Sequence, residues 1–143
     1  MARFRMNVNF RNTTKGIETN INNKMKEAIT DVTLDLQRVA SQSAPHDSGF
    51  LEGNSQYHVN AMGKTLEGTV SFSASNKGFD YAQWANDKQY NLGEKSARKS
   101  GGKSRFGGGT VPVGTGYLKN ALEMNKAGYI RHLQDKYREA LNR

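Results

Sequence analysis

Apolar residues occupy every second position at the start of the chain. Phe4, Met6, Val8 and Phe10 alternate with Arg3, Arg5, Asn7 and Asn9, the period of a half-buried strand. The segment RNTTKG that follows is turn chemistry, with Thr13 or Thr14 placed to cap a helix. From Ile17 to about Ser43 the period lengthens. Ile17, Ile21, Met25, Ala28, Val32, Leu36 and Val39 recur every three or four residues, and Ile29 and Ala40 widen the stripe. This spacing predicts an amphipathic helix about 40 Å long. That is long for a small domain, so one end is expected to project or to pack on a neighbour. Pro45 disfavours helical dihedrals at Ala44 and ends the helix there.

Period two returns beyond the corner. Tyr57, Val59 and Ala61 alternate with His58, Asn60 and Met62, Gly63-Lys64 supplies a turn, and Leu66, Val70, Phe72 and Ala74 oppose Glu67, Thr69, Ser71 and Ser73. This predicts a β-hairpin with one wet face. In FDYAQWAND, Phe79, Tyr81 and Trp84 crowd together in a pattern that fits a short strand or a helical turn alike. Residues 88–109 have no period, and between Gly93 and Gly109 six glycines and five basic residues stand against one acid, a net +4. Such composition predicts a long flexible loop that orders only against a partner. TVPV then fits a short edge strand, where Pro112 is tolerated. In the last stretch Leu118, Leu122, Tyr129, Leu133, Tyr137 and Leu141 share a helical face with Ala121 and Ile130 beside them, and Gly128 inside it marks a kink or a close contact. The expected fold is α+β: a small antiparallel sheet packed against two long helices, with a long flexible Gly/Lys-rich loop. Its core should hold Ile21, Met25, Val32, Leu36, Val59, Val70, Phe72, Trp84, Leu118, Leu122 and Leu133.

Composition sharpens this picture. With 143 residues, 35% of them hydrophobic, a single domain over residues 1–143 with an economical core is expected, residues 88–110 forming the basic loop. No apolar run is long enough to span a bilayer, and the alternating N-terminus lacks the apolar stretch of a secretory leader. The chain has no cysteine, which excludes disulfides and thiolate metal sites and fits a cytoplasmic life. A net charge of +8 favours contact with nucleic acid or with an acidic protein surface.

Catalytic chemistry finds little support. His46, Asp47 and Ser48 are the residue types of a hydrolase triad, but three consecutive residues diverge, whereas the triad needs its histidine between acid and serine. No GxSxG elbow is present. A turn is the better reading: Pro45 stops the helix, Asp47 or Ser48 bonds to backbone N–H groups, and Gly49 takes a positive φ. ARKSGGKS, residues 97–104, matches a loosened phosphate-loop pattern without the preceding strand and following helix that pattern requires. His46, His58 and His132 lack metal-ligand spacing. No catalytic, cofactor-binding or metal site is therefore expected. Phe79, Tyr81 and Trp84 are better placed to pack a core than to stack on bases, because basic residues flank them only at the edges.

The corner SAPHDSGFLEG also resembles the A-P-x-x-T-G-x-L signature of a family of long-tailed phage neck and tail-completion proteins, also described as minor capsid or tail-component proteins. Ala44, Pro45, Ser48, Gly49 and Leu51 fall on its positions, with serine for threonine. Tyr81 to Trp84 resembles the family's Y-A segment after the hairpin, and GYLKNAL, Gly116 to Leu122, resembles its closing P-F-L-x-x-A element. Glu52, Asn54, Asp87 and Lys88 depart from the residues common there, which leaves the subfamily open. The resemblance implies a structural virion protein, not an enzyme, that needs no cofactor. It would form a homo-oligomeric ring at the head–tail junction, assembled in the host cytoplasm. Its neighbours would be head-completion or adaptor proteins on one side and tail-tube or tail-terminator proteins on the other, with DNA passing through the ring and no membrane contact. In that setting Lys95, Arg98, Lys99, Lys103, Arg105 and Phe106 are the expected partner-contact residues of the loop. The rival readings are a basic nucleic-acid-binding module and, on the strength of His46-Asp47-Ser48, a small hydrolase.

Overall fold

The computed structural model describes residues 2–9, 15–46, 51–62, 65–76 and 79–142. Helix α1 runs from Lys15 to Ser43, within two residues of the expected limits. Its stripe of Ile21, Met25, Ala28, Ile29, Val32, Leu36, Val39 and Ala40 is buried throughout. It lies on a three-stranded antiparallel sheet of order β1-β3-β2, formed by β1 (Ala2–Asn9), β2 (Ser55–Met62) and β3 (Thr65–Phe72). The expected N-terminal strand and hairpin are thus present, with β3 in the middle. The hairpin turn at Gly63-Lys64 and the cap at Thr13 or Thr14 lie outside the described residues.

The central strand departs from the simple wet-face pattern. Leu66, Val70 and Phe72 are buried towards α1, as expected, but Thr69 and Ser71 on the opposite face are also buried. They are short side chains flanked by a strand on each side. At Gly68 the helix comes so close that a Cβ would lie 2.1 Å from Thr33 Oγ1.

FDYAQWAND is both of the things its pattern allowed. β5 (Phe79–Asp80) pairs with β4 (Ser75–Asn76), and α2 (Tyr81–Asp87) follows at once, capped by the Asp80 carboxylate accepting from the Gln83 N–H at 3.0 Å. Trp84 stacks with Tyr81 and Tyr90, with ring centroids 6.0 and 4.9 Å away and both pairs within 19° of parallel. Tyr81 and Trp84 are half-buried against the core, whereas Phe79 is 52% exposed.

Helix α4 (Lys119–Leu141) runs antiparallel along α1, bringing Tyr129 to Asp35, His132 to Asp31 and Ala140 into the cluster of Ile21 and Met25. From Ile21 onward α1 is therefore covered within its own chain and does not project. The start of α4 is capped from a distance: Asn86 Oδ1 accepts from the N–H groups of Leu118 and Lys119 at 3.1 and 3.2 Å. The buried face of α4 is rotated from the expected one. Asn125 and Ala140 are buried, whereas Ile130 and Leu141 are 44% and 45% exposed. Asn125 sits four residues from both Ala121 and Tyr129, in phase with the core but hidden by its polarity.

Of the expected core, Ile21, Met25, Val32, Leu36, Val70, Phe72 and Leu118 are buried. Val59, Trp84, Leu122 and Leu133 are half-buried against the two apolar clusters. Tyr117, packed edge-on against Phe72 with centroids 5.1 Å apart, joins them.

Candidate interaction surface

The two stretches singled out by sequence, the corner after α1 and the basic loop, are brought together. Helix α1 ends with carbonyls that lack intrahelical partners. Lys99 comes across from the loop and donates to the carbonyls of Ser41, at 3.3 Å, and Ala44, while the Gly114 N–H donates to that of Ser43 at 3.0 Å. A lysine at this end also complements the helix dipole. The same ammonium pairs with Glu52 Oε2 at 3.0 Å, and the other Glu52 oxygen meets His46 Nδ1. Burial tends to raise the Glu52 pKa, but the hydrogen bonds from Lys99 and His46 and the charges of both hold it below the usual carboxylate value. His46 is tied further by its backbone, its N–H donating to Ser96 Oγ at 2.8 Å and its carbonyl accepting from that hydroxyl at 3.2 Å.

Ala44, Pro45 and Leu51 are buried, so the described part of the corner plugs the end of the core. Ser48 and Gly49, and the positive φ expected at Gly49, lie outside the described residues, as does Asp47. His46 is engaged with Glu52.

The loop contains α3 (Glu94–Ala97) and β6 (Gly102–Lys103), and β6 pairs with β7 (Thr110–Val111), the expected edge strand before Pro112. The element next after the ARKSGGKS stretch is the strand β7, not a helix, so the phosphate-loop context is missing here too. Residues 101–109 form a strap over the seam between α1 and α4. Gly102 N–H donates to Ser43 Oγ at 2.9 Å, and the Lys103 carbonyl accepts from Arg38 at 2.7 Å. Ser104, 6% exposed, donates to Asp35 Oδ2 at 2.6 Å and accepts from the Phe106 N–H at 2.9 Å. Phe106 lies edge-on to Tyr129 and beside His132, with centroids 6.0 and 4.5 Å away.

Asp35 is the centre of this arrangement. Its side chain is fully buried, yet it accepts from Ser104 Oγ, from Tyr129 Oη at 2.7 Å, from the Arg105 N–H at 3.1 Å and from Arg38 at 2.9 Å. Burial alone would raise its pKa; those hydrogen bonds together outweigh it and hold the carboxyl below its ordinary value of 3.8. Burial, reinforced by the Asp35 carboxylate, pushes the Tyr129 hydroxyl well above the usual phenol range. The carboxylate therefore stays charged and the phenol stays a donor, a stable pairing closed to solvent.

Glycine is used where the strap touches the helices. A Cβ at Gly102 would lie 2.3 Å from the Val39 carbonyl oxygen, and one at Gly128 would lie 2.1 Å from the Phe106 carbonyl oxygen. The mid-helix glycine thus marks a close contact. At Gly108, which takes φ +99°, a Cβ would meet Asn125 Oδ1 at 2.1 Å.

The expected partner-contact set divides in two. Lys95, Arg98, Lys103 and Arg105 are exposed, with Arg98 held 2.5 Å from Glu94 and Arg105 anchored by its backbone to Asp35. Lys99 and Phe106 are half-buried and make contacts on their own chain. The strap likewise makes its contacts within the chain, where its composition alone pointed to a partner. Among the described residues, no group of three His, Asp or Glu side chains could hold a metal ion. No described helix is long and apolar enough to cross a membrane.

Asp35, Ser43, Ser96 and Ser104 escaped the sequence reading. Asp35 did leave a signal, a carboxylate three residues after Val32 and four before Val39 on an otherwise apolar stripe. The serines left none. Searches against protein-family models, curated proteins and solved structures gave no match to this chain.

Proposed function

We propose that this protein is a structural component of a phage head–tail connector, a neck or tail-completion protein that works as a ring of identical subunits between the portal-adaptor assembly and the tail. The observation that carries this reading is the order of its segments. A long helix is followed by an A-P-x-x-S-G-x-L corner, a β-hairpin, a Y-A segment and a basic glycine-rich crossing, and a closing helix comes last. The burial of Ala44, Pro45 and Leu51 supports a structural role for the motif. So does the use of the most concentrated charged chemistry, around Asp35 and Lys99, to tie the chain to itself. Exposed Lys95, Arg98, Lys103 and Arg105 would meet acidic surface on an adjoining ring, each pair adding little but several together setting docking rate and register.

The test is to delete the gene from the phage that carries it and image the lysate. Separate full heads and finished tails, joined again when the protein is supplied, are the expected result; normal tailed particles would overturn the reading. The net charge of +8 favours a second reading, a nucleic-acid-binding module. That reading requires duplex DNA affinity that falls steeply with log salt, and a flat profile at micromolar protein removes it.

A further inference from the structure

The three-stranded sheet has two outer strands, and the chain treats them differently. Among the described residues β2 pairs only with β3, in an unbroken register from Ser55↔Phe72 to Met62↔Thr65. Its eight residues contain no Lys, Arg, Asp, Glu or Pro, and the register shows no bulge. An outer strand turns half of its N–H and C=O groups away from the sheet. Soluble proteins blunt such rows with charge, proline, a bulge or short length, and β2 has none of these. It is also exposed on both faces: Gln56, His58 and Asn60 on the polar side, Tyr57 and Ala61 on the side facing α1, with Tyr57 42% exposed. The strand β3 beside it is nearly all buried.

The opposite outer strand, β1, has the same length and an equally unbroken register with β3, but it carries Arg3 and Arg5, paired with Ser71 and Thr69. Two β1 strands from two subunits would set arginines beside arginines, a destabilising arrangement. A β1 strand beside β2 meets no charge, and the amide oxygens of Gln56 and Asn60 are acceptors suited to guanidinium groups. Both outer strands run antiparallel to β3 and therefore parallel to each other. Rotation about an axis along the strands preserves that direction, so the β1 of a rotated copy can lie parallel to β2. Such a contact is head-to-tail, the kind that closes into a ring.

We propose that β2 is the docking edge for a second copy of this chain, whose β1 strand pairs with it and carries the sheet from one subunit to the next. The inference rests on the ring reading and names its contact. The incoming strand would satisfy the free backbone groups of β2 and cover Tyr57.

The experiment is sedimentation velocity of the full chain over a concentration series, with far-ultraviolet melts to confirm folding. Three proteins are compared: the natural chain, Asn60→Lys, and Asn60→Lys combined with Arg3→Glu and Arg5→Glu. Asn60 is exposed, so its replacement leaves the fold intact. The natural chain should form species larger than a dimer. Asn60→Lys should weaken assembly about tenfold or more by placing like charges together, and the added glutamates should restore it. If Asn60→Lys assembles like the natural chain, the β2 contact is overturned and the ring reading stands. If the natural chain stops at a dimer that Asn60→Lys abolishes and the glutamates do not restore, β2 meets β2, and both the β1 partner and the ring are overturned. A natural chain that stays monomeric throughout overturns both inferences.

Discussion

Between Ile21 and Ala40, α1 buries an apolar side chain every three or four residues, and its order follows from removing them from water. Between Gly101 and Gly109 the strap has one large apolar side chain, Phe106, and five glycines. It is held by a serine hydroxyl, backbone N–H groups and a carbonyl aimed at polar groups on α1, and by glycines that let backbone approach backbone. The difference shows that a segment can be placed by a few directed bonds to a buried charge as well as by a stripe of apolar bulk. The first kind of order tolerates changes of shape that conserve volume. The second depends on single atoms.

The comparison can be broken at either end. Leu36→Ala removes a fully buried side chain from the stripe and should cost about 2–5 kcal/mol, seen as a lower midpoint in urea unfolding. A loss under about 1 kcal/mol would mean that the stripe is not the main support of α1. Asp35→Asn conserves shape but removes the charge that four donors share, and should cost about 2–3 kcal/mol. It should also alter the acid limb. The folded-state pKa of Asp35 lies below its unfolded value, so its contribution is present above that unfolded value and is lost as pH falls through the folded one. The natural protein should therefore lose stability below about pH 4, and Asp35→Asn should lose less over the same window. Equal slopes would show that the strap's anchor does not depend on ionisation. Glu52, lowered in the same direction, supplies a further acid-sensitive contribution that remains in the variant.

Gly128→Ala is the sharper instrument. In an ordinary helix this change stabilises by roughly 0.5–1 kcal/mol, but here the methyl would meet the Phe106 carbonyl, and a net loss of about 1–3 kcal/mol is expected. A gain would show that the strap does not rest on α4. Gly93→Ala is the control with the smallest effect. Nothing lies within 4 Å of its Cβ position, and the melting temperature should stay within about 1–2 °C.

The elements legible in the sequence are those ordered in the manner of α1. The long helix, the hairpin, the first strand and the closing helix all announce themselves by period. The strap does not, because its anchors are a serine, a buried aspartate and glycines whose meaning depends on residues far along the chain. Asp35 and Asn125 share that fate: each occupies a core position with a polar side chain, so a search for apolar spacing passes over it. The junction of corner and loop was half legible. Both stretches stood out in composition, but Lys99 reaching the end of α1 is a tertiary fact with no local trace.

The bonds that seat the strap join residues far apart in the chain, 59 positions between Ser43 and Gly102 and 69 between Asp35 and Ser104. Closing such loops before any bond rewards it is entropically costly, whereas the turns of α1 and the hairpin close over a few residues. The strap is therefore expected to settle later than the turns of α1 and the hairpin. Contacts made after the transition state leave the rate of folding alone and govern the rate of unfolding. The strap is thus placed to act as a clasp on the finished fold: loosening it should speed unfolding and leave the rate of folding alone.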